Sequence, residues 1–528
     1  MKKTLLALLS GILFAISWPT YGFPLFLFLA FVPLLLIEKE LRDQKTKRSN
    51  LLILGYAYLS FFIFNAATTW WLYYATPFGM CFAILANSLL MAIIFLLYHI
   101  IAKKISQKLS LWVLVCLWIG FEKFHLFWDF SWPWLNLGNG FSEYYKWIQW
   151  YEYTGTFGGT LWIWIVNILF FYAVVNFQKH QIKNVFVKSL LLPISVIVIG
   201  IFGSLYIYNT TPISETTVDV IVLQPNIDPY TEKYKTTNVG MAQKLIELTK
   251  TKLDTNVTFV IAPETTISKP VQLSKFEKTK EYYKLNSFVV QNRNISFLSG
   301  ITFYDSYTAN KTPNSTANFF KNSKNWYNSY NSSFFLRYQK KFKTYHKSKL
   351  VVGVEHVPYR DIISPLLGGY MIDLGGSIST LTTQEYRSVF TNDKNTIAPI
   401  ICYESVYGAY VTDYVKKGAD FLAIITNDGW WNTSQGHKQH LSIARLRAIE
   451  NRRSIARSAN TGVSAFINQK GDITQSIGYG QKGALKGSIA TSTTTTYYTE
   501  QGDYIFRIAM LIMMIVVLTS FTKRNKSM

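Results

Sequence analysis

The chain has 528 residues, of which 49% are hydrophobic and only 16% are charged, and its net charge is +23. A soluble chain would have nearer a quarter of its residues charged, so the composition argues against an ordinary soluble protein. A basic chain suits phosphate-rich partners or anionic membrane surfaces. Because the basic residues upstream of residue 208 lie in short runs between long apolar segments, with no nucleic-acid motif, we predict a membrane protein with no nucleic-acid partner.

Eight apolar segments approach or reach the length of about 20 residues that a spanning helix needs. They lie near residues 4–21, 24–37, 51–73, 80–101, 109–128, 157–177, 186–207 and 504–521. Positive charge recurs in every second loop, which places those loops in the cytoplasm by the positive-inside rule. We therefore predict seven transmembrane helices over 1–208, an extracytoplasmic domain over 209–503, and an eighth transmembrane helix with a cytoplasmic tail over 504–528.

Two features of the apolar segments can be explained in more than one way. Lys2 and Lys3 before an apolar run also fit a signal peptide, but no clear small-residue cleavage site follows and a second apolar segment starts at once. Glu122 and Lys123 lie inside the fifth predicted span. An intramembrane charge is functional by default, but one near the outer interface can also extend toward water. Both explanations of this pair stay open.

The long segment between the last two spans alternates strands with helices. Strands are predicted at 217–223, 257–262, 295–301, 332–338, 397–402 and 421–426, and helices at 241–253 and 440–453. Several of the strands are apolar enough to be buried on both faces, which indicates an α/β domain. The polar stretch 304–330 is predicted to be a long surface loop, and the threonine-rich run 491–496 a linker to the last span.

Three strand ends in this domain carry residues that suit acyl transfer. Glu264 follows the strand 257–262, Lys347 lies in the run 345–350, and Cys402 ends the strand 397–402. A thiol is mostly protonated at neutral pH, a carboxylate can accept its proton, and an ammonium can stabilise an oxyanion. Spacing alone does not separate this set from unrelated strand-end residues, and Cys402 could equally be a buried free thiol.

The order of the motifs around these residues resembles the nitrilase (carbon–nitrogen hydrolase) superfamily. The motifs are Pro263-Glu264, the run 345–358 (YHKSKLVVGVEHVP), and the run 401–404 (ICYE). With its apolar spans, the whole chain resembles the apolipoprotein N-acyltransferase family, since 17–22 (SWPTYG), 132–138 (WPWLNLG), 427–431 (NDGWW) and 457–462 (RSANTG) fit further motifs of that family. The resemblance implies a multi-span α-helical membrane domain joined to an extracytoplasmic α/β nitrilase-like domain, an αββα sandwich.

The resemblance also implies a role for each residue of the motifs. Cys402 would be the nucleophile, Glu264 the general base, and Lys347 the group that stabilises the tetrahedral oxyanion. The residues that match supporting positions of the family are Glu355, Tyr403 and Glu404, and the backbone N–H of Tyr403 would be the second oxyanion donor.

The chain departs from the family pattern at two positions near these residues. Ala262 replaces the tryptophan that usually precedes Pro-Glu, and Lys349 replaces a histidine. The missing aromatic group implies a differently shaped pocket. We assign the catalytic lysine to Lys347 rather than Lys349 because of its register with Leu350 and Glu355.

The activity implied by the resemblance is an acyltransferase in the bacterial inner membrane, with its catalytic domain on the periplasmic side. It would move a fatty acyl chain from a phospholipid, through a thioester on Cys402, to the N-terminal α-amine of diacylglyceryl-cysteine in apolipoproteins, with no cofactor. One alternative is a membrane-tethered nitrilase-type amidase that acts on a small amide. Another is a non-catalytic scaffold, but that function would tolerate loss of one of the three residues, and all are present.

Two further features have alternative explanations. His437 and His440 are at helical spacing and could form a metal pair, but no third ligand is near in sequence, so no metal is expected. The apolar run 362–372 could be ordinary core. We favour a membrane-facing flap over a lipid entrance, because the acyl chains of the expected substrates lie in the bilayer.

Overall fold

The computed structural model describes residues 1–228, 232, 235–308, 314–320, 325–359, 362 and 380–525. It divides into two compact units. The helical unit contains residues 1–73, 77–211 and the chain from 501 onward, and the α/β unit contains residues 74–76 and 212–500. The predicted flap 362–372 lies outside the described residues apart from Ile362.

The helical unit consists mainly of α-helices, and between Phe124 and Tyr151 it also contains the 3₁₀ helices Pro133–Leu135 and Leu137–Trp147. The α-helices are α1 (Lys2–Ala15), α2 (Leu27–Ala30), α3 (Val32–Asp43), α4 (Ser49–Thr69), α5 (Pro77–Ala102), α6 (Gln107–Phe124), α7 (Tyr151–Thr154), α8 (Thr156–His180), α9 (Lys183–Thr210) and a C-terminal helix (Tyr504–Asn525). Within the described chain, four stretches are long and apolar enough to cross a membrane: Ser49–Tyr74, Pro77–Ala102, Thr156–His180 and Lys183–Thr210. The apolar helix Tyr504–Thr519 is shorter. The expected count of eight crossings stays a prediction.

Glu122 and Lys123 take different partners within the helical unit. The carboxylate of Glu122 is buried, and it accepts hydrogen bonds from the backbone N–H of Leu137 at 2.7 Å and the hydroxyl of Thr160 at 2.7 Å. The ammonium of Lys123 lies 2.6 Å from a carboxylate oxygen of Asp503. Glu122 therefore joins α6 to α8 and to the segment after α6, which is a structural role that the sequence did not predict.

The α/β unit contains two sheets. Its strands are β1 (Thr217–Gln224), β2 (Val257–Ile261), β3 (Ile267–Gln272), β4 (Ser296–Tyr307), β5 (Asn318–Phe320), β6 (Asn325–Leu336), β7 (Lys343–His346), β8 (Phe390–Thr391), β9 (Thr396–Ile401), β10 (Phe421–Thr426), β11 (Ile455–Ala459), β12 (Ser464–Ile467), β13 (Ile473–Ile477) and β14 (Gly483–Ala490). The first sheet has the order β14-β1-β2-β4-β6-β5, with β3 on β4 and β7 on β6. The second has the order β13-β12-β11-β10-β9-β8.

The sheets face each other between two layers of helices. Strand β1 contacts β11, and β6 contacts β9, so residues of both sheets form one core. Helix α10 (Asn238–Lys250) packs on β1 and against α11 (Lys280–Gln291), while α12 (Gly408–Lys416) packs on β9 and against α13 (Gln435–Asn451). This arrangement confirms the predicted αββα sandwich.

The central strands are parallel, and this brings their ends together. Strand β2 pairs in parallel with β1 and β4, and β10 pairs in parallel with β9 and β11. All six residues of β10 are buried, as expected for a strand covered on both faces. The carboxyl ends of β2, β9 and β10 are followed by Glu264, Cys402 and Asp428 respectively.

The prediction of a surface loop at 304–330 is wrong for most of the described residues, which belong to β-strands. Strand β4 continues to Tyr307, and β6, which starts at Asn325, pairs with it in antiparallel register up to the pair Tyr307↔Trp326. The short strand β5 pairs with β6, and the rings of Phe320 and Tyr327 stack with centroids 4.0 Å apart. Aromatic contacts between neighbouring strands stabilise a sheet, and they outweigh the weak strand preference of the asparagines and serines between them.

Candidate active site

Cys402 occupies a tight turn at the end of β9. The strand ends at Ile401, and a single 3₁₀ turn follows over Cys402–Val406. Cys402 has φ = 50°, in the left-handed region, which is costly for a non-glycine residue and persists only where the surroundings enforce it. The hydroxyl of Ser405 donates to the carbonyl oxygen of Cys402 at 2.7 Å and helps to hold this conformation. The thiol is free of any disulfide and buried.

Glu264 lies beyond the end of β2, where its carboxylate is buried and accepts several hydrogen bonds. One oxygen accepts from the ammonium of Lys347 at 2.9 Å and from the amide of Asn331 at 2.8 Å. The other accepts from the backbone N–H of Asn427 at 3.1 Å. The absence of a side chain at Gly300 makes this approach possible, because a Cβ there would lie 2.6 Å from the Cα of Glu264.

Lys347 follows β7, and its side chain is only 1% exposed. Its ammonium lies 2.9 Å from a carboxylate oxygen of Glu264 and 2.9 Å from one of Glu355. Burial lowers the pKa of Lys347, but the charges of Glu264 and Glu355 outweigh burial and hold that pKa well above its ordinary value. The lysine therefore stays an ammonium at neutral pH.

Glu355 and Asn331 complete this group of polar side chains. The amide of Asn331 donates to Glu355 at 2.6 Å as well as to Glu264, and the backbone N–H of Val351 donates to Glu355 at 2.8 Å. Sequence reasoning missed Asn331, because it lies on β6 near the polar stretch that was predicted to be a loop. No local motif marks it.

The nearest charges act on the Cys402 thiol in opposite directions. Burial raises the pKa of Cys402 above its ordinary value, the charge of Glu264 raises it further, and the charge of Lys347 lowers it. The net pKa is raised, so the resting sulfur is a protonated thiol. A nucleophilic role for this sulfur thus needs a base that takes its proton, and Glu264 is the carboxylate with the largest effect on it.

Glu404 connects the cysteine turn to the lysine segment. One of its oxygens accepts from the backbone N–H of Ser348 at 2.7 Å and from the hydroxyl of Tyr345 at 2.6 Å, and the other accepts from the backbone N–H of Ile401 at 2.8 Å. Burial raises the pKa of Glu404, although these hydrogen bonds oppose the shift. Because Ser348 follows Lys347 and Ile401 precedes Cys402, the carboxylate holds the backbone next to each of these two residues and so fixes their relative positions.

The structure separates the two lysines and places Tyr403 beside the cysteine. The ammonium of Lys349 lies over the ring of Tyr407, 5.0 Å from its centroid, whereas Lys347 contacts the carboxylates. The buried ring of Tyr403 packs edge-on against Tyr407, with centroids 5.3 Å apart. The oxyanion role of the Tyr403 backbone N–H stays a prediction.

A second polar cluster, which we call the Asp428 cluster, lies next to the sulfur and contains Asp428, Thr426, His440 and Arg457. The carboxylate of Asp428 accepts from the hydroxyl of Thr426 at 2.7 Å and from the guanidinium of Arg457 at 2.6 Å, and it lies 3.0 Å from Nδ1 of His440. The other ring nitrogen of His440 lies 3.3 Å from the carbonyl oxygen of Cys402. Sequence reasoning considered His440 only as half of a metal pair.

The ligand atoms of Cys402, Asp428 and His440 lie within 4.8 Å of one another, a spacing that a metal ion could use. A cation bound there would have to compete with Arg457 for the Asp428 carboxylate. His437, the other histidine that was considered as a metal ligand, packs against the ring of Tyr479 at 4.4 Å between centroids. The donor set therefore fits a hydrogen-bonded network better than a metal site.

Comparisons with known proteins match both units. The family described as "Carbon-nitrogen hydrolase" matches residues 220–499, and the "Apolipoprotein N-acyltransferase N-terminal domain" matches residues 10–169. An "Apolipoprotein N-acyltransferase" of Chlorobaculum tepidum is 29% identical over 99% of this chain and 97% of its own length. "Apolipoprotein N-acyltransferase 1" of Treponema denticola is 26% identical over the same shares of both chains. The solved structure of Nit3 of Saccharomyces cerevisiae, a nitrilase-superfamily member, covers 53% of this chain and 92% of its own, with 15% identity and a TM-score of 0.36.

Proposed function

The chain belongs to the carbon–nitrogen hydrolase family, and we propose that it is an enzyme with apolipoprotein N-acyltransferase activity. It transfers a fatty acyl chain from a phospholipid to the N-terminal α-amine of diacylglyceryl-cysteine in apolipoproteins. The observation that carries the proposal is the similarity to curated N-acyltransferases over 99% of the chain, which includes the apolar helices as well as the α/β unit. The contact between Glu264 and Lys347, and the hydrogen bonds of Glu404 that connect the Cys402 turn to the lysine segment, fit the chemistry that this activity needs.

The first half-reaction forms a thioester. As the sulfur of Cys402 attacks the ester carbonyl of the phospholipid, its proton passes to Glu264, and the negative charge that develops on the carbonyl oxygen is stabilised by Lys347 and the backbone N–H of Tyr403. The tetrahedral intermediate then breaks its bond to the alkoxy oxygen. Glu264 returns the proton to that oxygen, so a lysophospholipid leaves and the acyl chain stays on Cys402.

The second half-reaction consumes the thioester. The α-amine of the acceptor attacks the thioester carbonyl, Glu264 accepts a proton from the nitrogen, and the bond from carbon to sulfur breaks. The sulfur leaves with a proton from Glu264, and an amide remains on the lipoprotein. This sequence, with ping-pong kinetics, uses no metal and no nucleotide. Glu355 and Glu404 hold Lys347 and the Cys402 turn in place for both halves.

The cellular location follows from the same proposal. We place the enzyme in the bacterial inner membrane, with seven spans over 1–208, the catalytic domain 209–503 on the periplasmic side, and an eighth span after it. The support for this is the apolar helices and the alternation of basic loops. Both substrates are membrane lipids or lipid-anchored chains, so an enzyme that is itself embedded in the bilayer meets them without extracting either one.

The experiment that tests the function detects the acyl-enzyme. Incubation of the purified full-length protein with phospholipid, but no lipoprotein acceptor, is expected to add the mass of one acyl group to the peptide that contains Cys402. Neutral hydroxylamine should remove that mass, and Cys402→Ala should never acquire it. An unmodified wild-type protein, under conditions in which it acylates lipoproteins, would exclude the covalent route.

A tethered amidase would use the same residues with water as the acceptor. To distinguish the two, a diacylglyceryl-modified lipoprotein is added to the acyl-enzyme, and the lipoprotein N-terminus is analysed by mass spectrometry. Transferase activity gives an N-acylated product. An unmodified amine, together with hydrolysis of a small amide supplied as a probe substrate, would support the amidase instead.

A further inference from the structure

The hydroxyl of Thr426 lies between the sulfur of Cys402 and the carboxylate of Asp428. Thr426 is the last residue of β10 and is fully buried. Its oxygen lies 3.2 Å from the sulfur and 2.7 Å from a carboxylate oxygen of Asp428. A hydroxyl has a single proton, so it can donate a well-aligned hydrogen bond to only one of these two neighbours and must accept from the other.

The carboxylate of Asp428 is the neighbour that takes this proton. Burial raises the pKa of Asp428, but the nearby charges of Arg457 and His440 outweigh burial and hold that pKa below its ordinary value. The ionised carboxylate only accepts hydrogen bonds, and a bond to a charged acceptor is stronger than one to a neutral sulfur. The short distance of 2.7 Å agrees with this assignment.

The lone pairs that remain on the Thr426 oxygen can therefore accept the S–H of Cys402. We propose that Thr426 is a positioning residue, whose hydroxyl accepts the thiol proton and holds resting Cys402 protonated, while Asp428 sets the direction of that hydroxyl. The proposal rests on the proposed function, in which Cys402 is the nucleophile. It adds one step to the proposed reaction, because the S–H must turn from Thr426 to Glu264 before the sulfur can attack.

Charged and titratable groups reach Cys402 from every neighbouring element. They are Glu264 after β2, Lys347 after β7, Tyr403 in the same turn, Asp428 after β10, and His440 on α13, which contacts the backbone oxygen of Cys402. A substitution at Thr426 removes its hydrogen bond to Asp428 but leaves the charged and titratable side chains themselves in place. A change in the titration of the thiol can thus be assigned to the hydroxyl itself.

The test is the pH dependence of Cys402 alkylation by iodoacetamide in the full-length protein, measured by peptide mass spectrometry so that Cys81 and Cys116 do not interfere. In Thr426→Val the hydrogen bond that stabilises the neutral thiol is lost. The midpoint, which is the pH at which the alkylation rate is half of its maximum, should therefore move down by about 0.5–1 pH unit. Thr426→Ser keeps a hydroxyl and should restore the wild-type midpoint. The control is Thr412→Val, at a buried threonine whose hydroxyl donates to the helix carbonyl of Ala409, and it should leave the midpoint unchanged.

An upward shift in Thr426→Val would overturn the proposal, because it would mean that the hydroxyl donates to the sulfur. An unchanged midpoint would also overturn it. If the valine variant does not fold, Thr426→Ala, which also lacks the hydroxyl and leaves the charge of Asp428 in place, provides the second measurement. Its midpoint should fall in the same way, and a midpoint that stays or rises contradicts the proposal.

Alkylation uses neither phospholipid nor lipoprotein, so its outcome is independent of the acyl-transfer assay. Failure of the proposed function would appear as a wild-type enzyme without a thioester. Failure of the Thr426 proposal would appear only in the midpoints of the variants.

Discussion

Lys347 lies between two carboxylates, and this environment decides which chemical tasks it can perform. With Glu264 and Glu355 each 2.9 Å away, its pKa is raised and its charge is retained. A permanently charged ammonium is a poor base but a good partner for an oxyanion. The same ion pair neutralises the negative charge of buried Glu264. Removal of Lys347 would therefore also leave that charge buried without its cationic partner.

A pair of lysine variants tests the assignment. Lys347→Ala should abolish thioester formation, with a loss of about 3 kcal/mol or more of transition-state stabilisation, by analogy with removal of an oxyanion donor. Lys349→Ala should have a milder effect, because that ammonium lies over the Tyr407 ring. Single-turnover acylation rates measure both. A reversed pair of phenotypes would mean that the motif register is displaced by two residues.

The motifs led directly to the residues of the site that follow strand ends. Glu264, Lys347 and Cys402 were selected in this way, and the structure brings the first two into contact. Asn331 and Thr426 could not be found by the same means, because their roles come from contacts with partners far away in sequence. Thr426 is an ordinary residue for a buried β-strand, and only the fold places its hydroxyl beside the sulfur.

At the scale of elements, Glu122 joins three parts of the helical unit. Its carboxylate accepts from the indole N–H of Trp118 on α6, from the backbone N–H of Leu137, and from the hydroxyl of Thr160 on α8. These three donors are buried among apolar side chains, where a donor that loses its acceptor cannot turn to bulk water.

Replacement of Glu122 should therefore affect stability rather than chemistry. Glu122→Ala leaves up to three buried donors without an acceptor, at about 1–3 kcal/mol each, and should lower the melting temperature of the detergent-solubilised protein. Glu122→Gln keeps one acceptor oxygen and should have a smaller effect. Acylation rates of the fraction that remains folded should match the wild type. A stable Glu122→Ala protein that is inactive would instead indicate a direct role in the reaction.

The elements of the α/β unit were predictable where the sequence is uniformly apolar. The runs that became β2, β9 and β10 are mostly apolar, with one threonine each, which is typical of strands buried on both faces. Strands were predicted for the inner parts of β4 and β6, at 295–301 and 332–338, but the outer half of this pair was missed because about half of its residues are polar. Its stability comes from pairing across strands, such as Phe303↔Tyr330, and that information is absent from any short window of sequence.

At the scale of the whole molecule, the orientation in the membrane can be tested with reporter fusions. Fusions at residues 45, 105 and 183 should report a cytoplasmic location, because these positions lie in or beside basic loops. A fusion near residue 310 should report an external location, since that position lies in the domain predicted on the other side. An external signal at residue 105 would show that the number of spans before it is wrong.

The pairing of β1 with β14 has a consequence for biosynthesis. The first strand of the α/β unit aligns Thr217 with Ala490 on the last, so the first sheet is completed only when nearly all of the unit has been synthesised. The cysteine turn likewise depends on His440, which is made after Cys402. A nascent chain that has just been extended past Cys402 still lacks both His440 and β14, so we expect the thiol to acquire its buried surroundings only after most of the unit has been made.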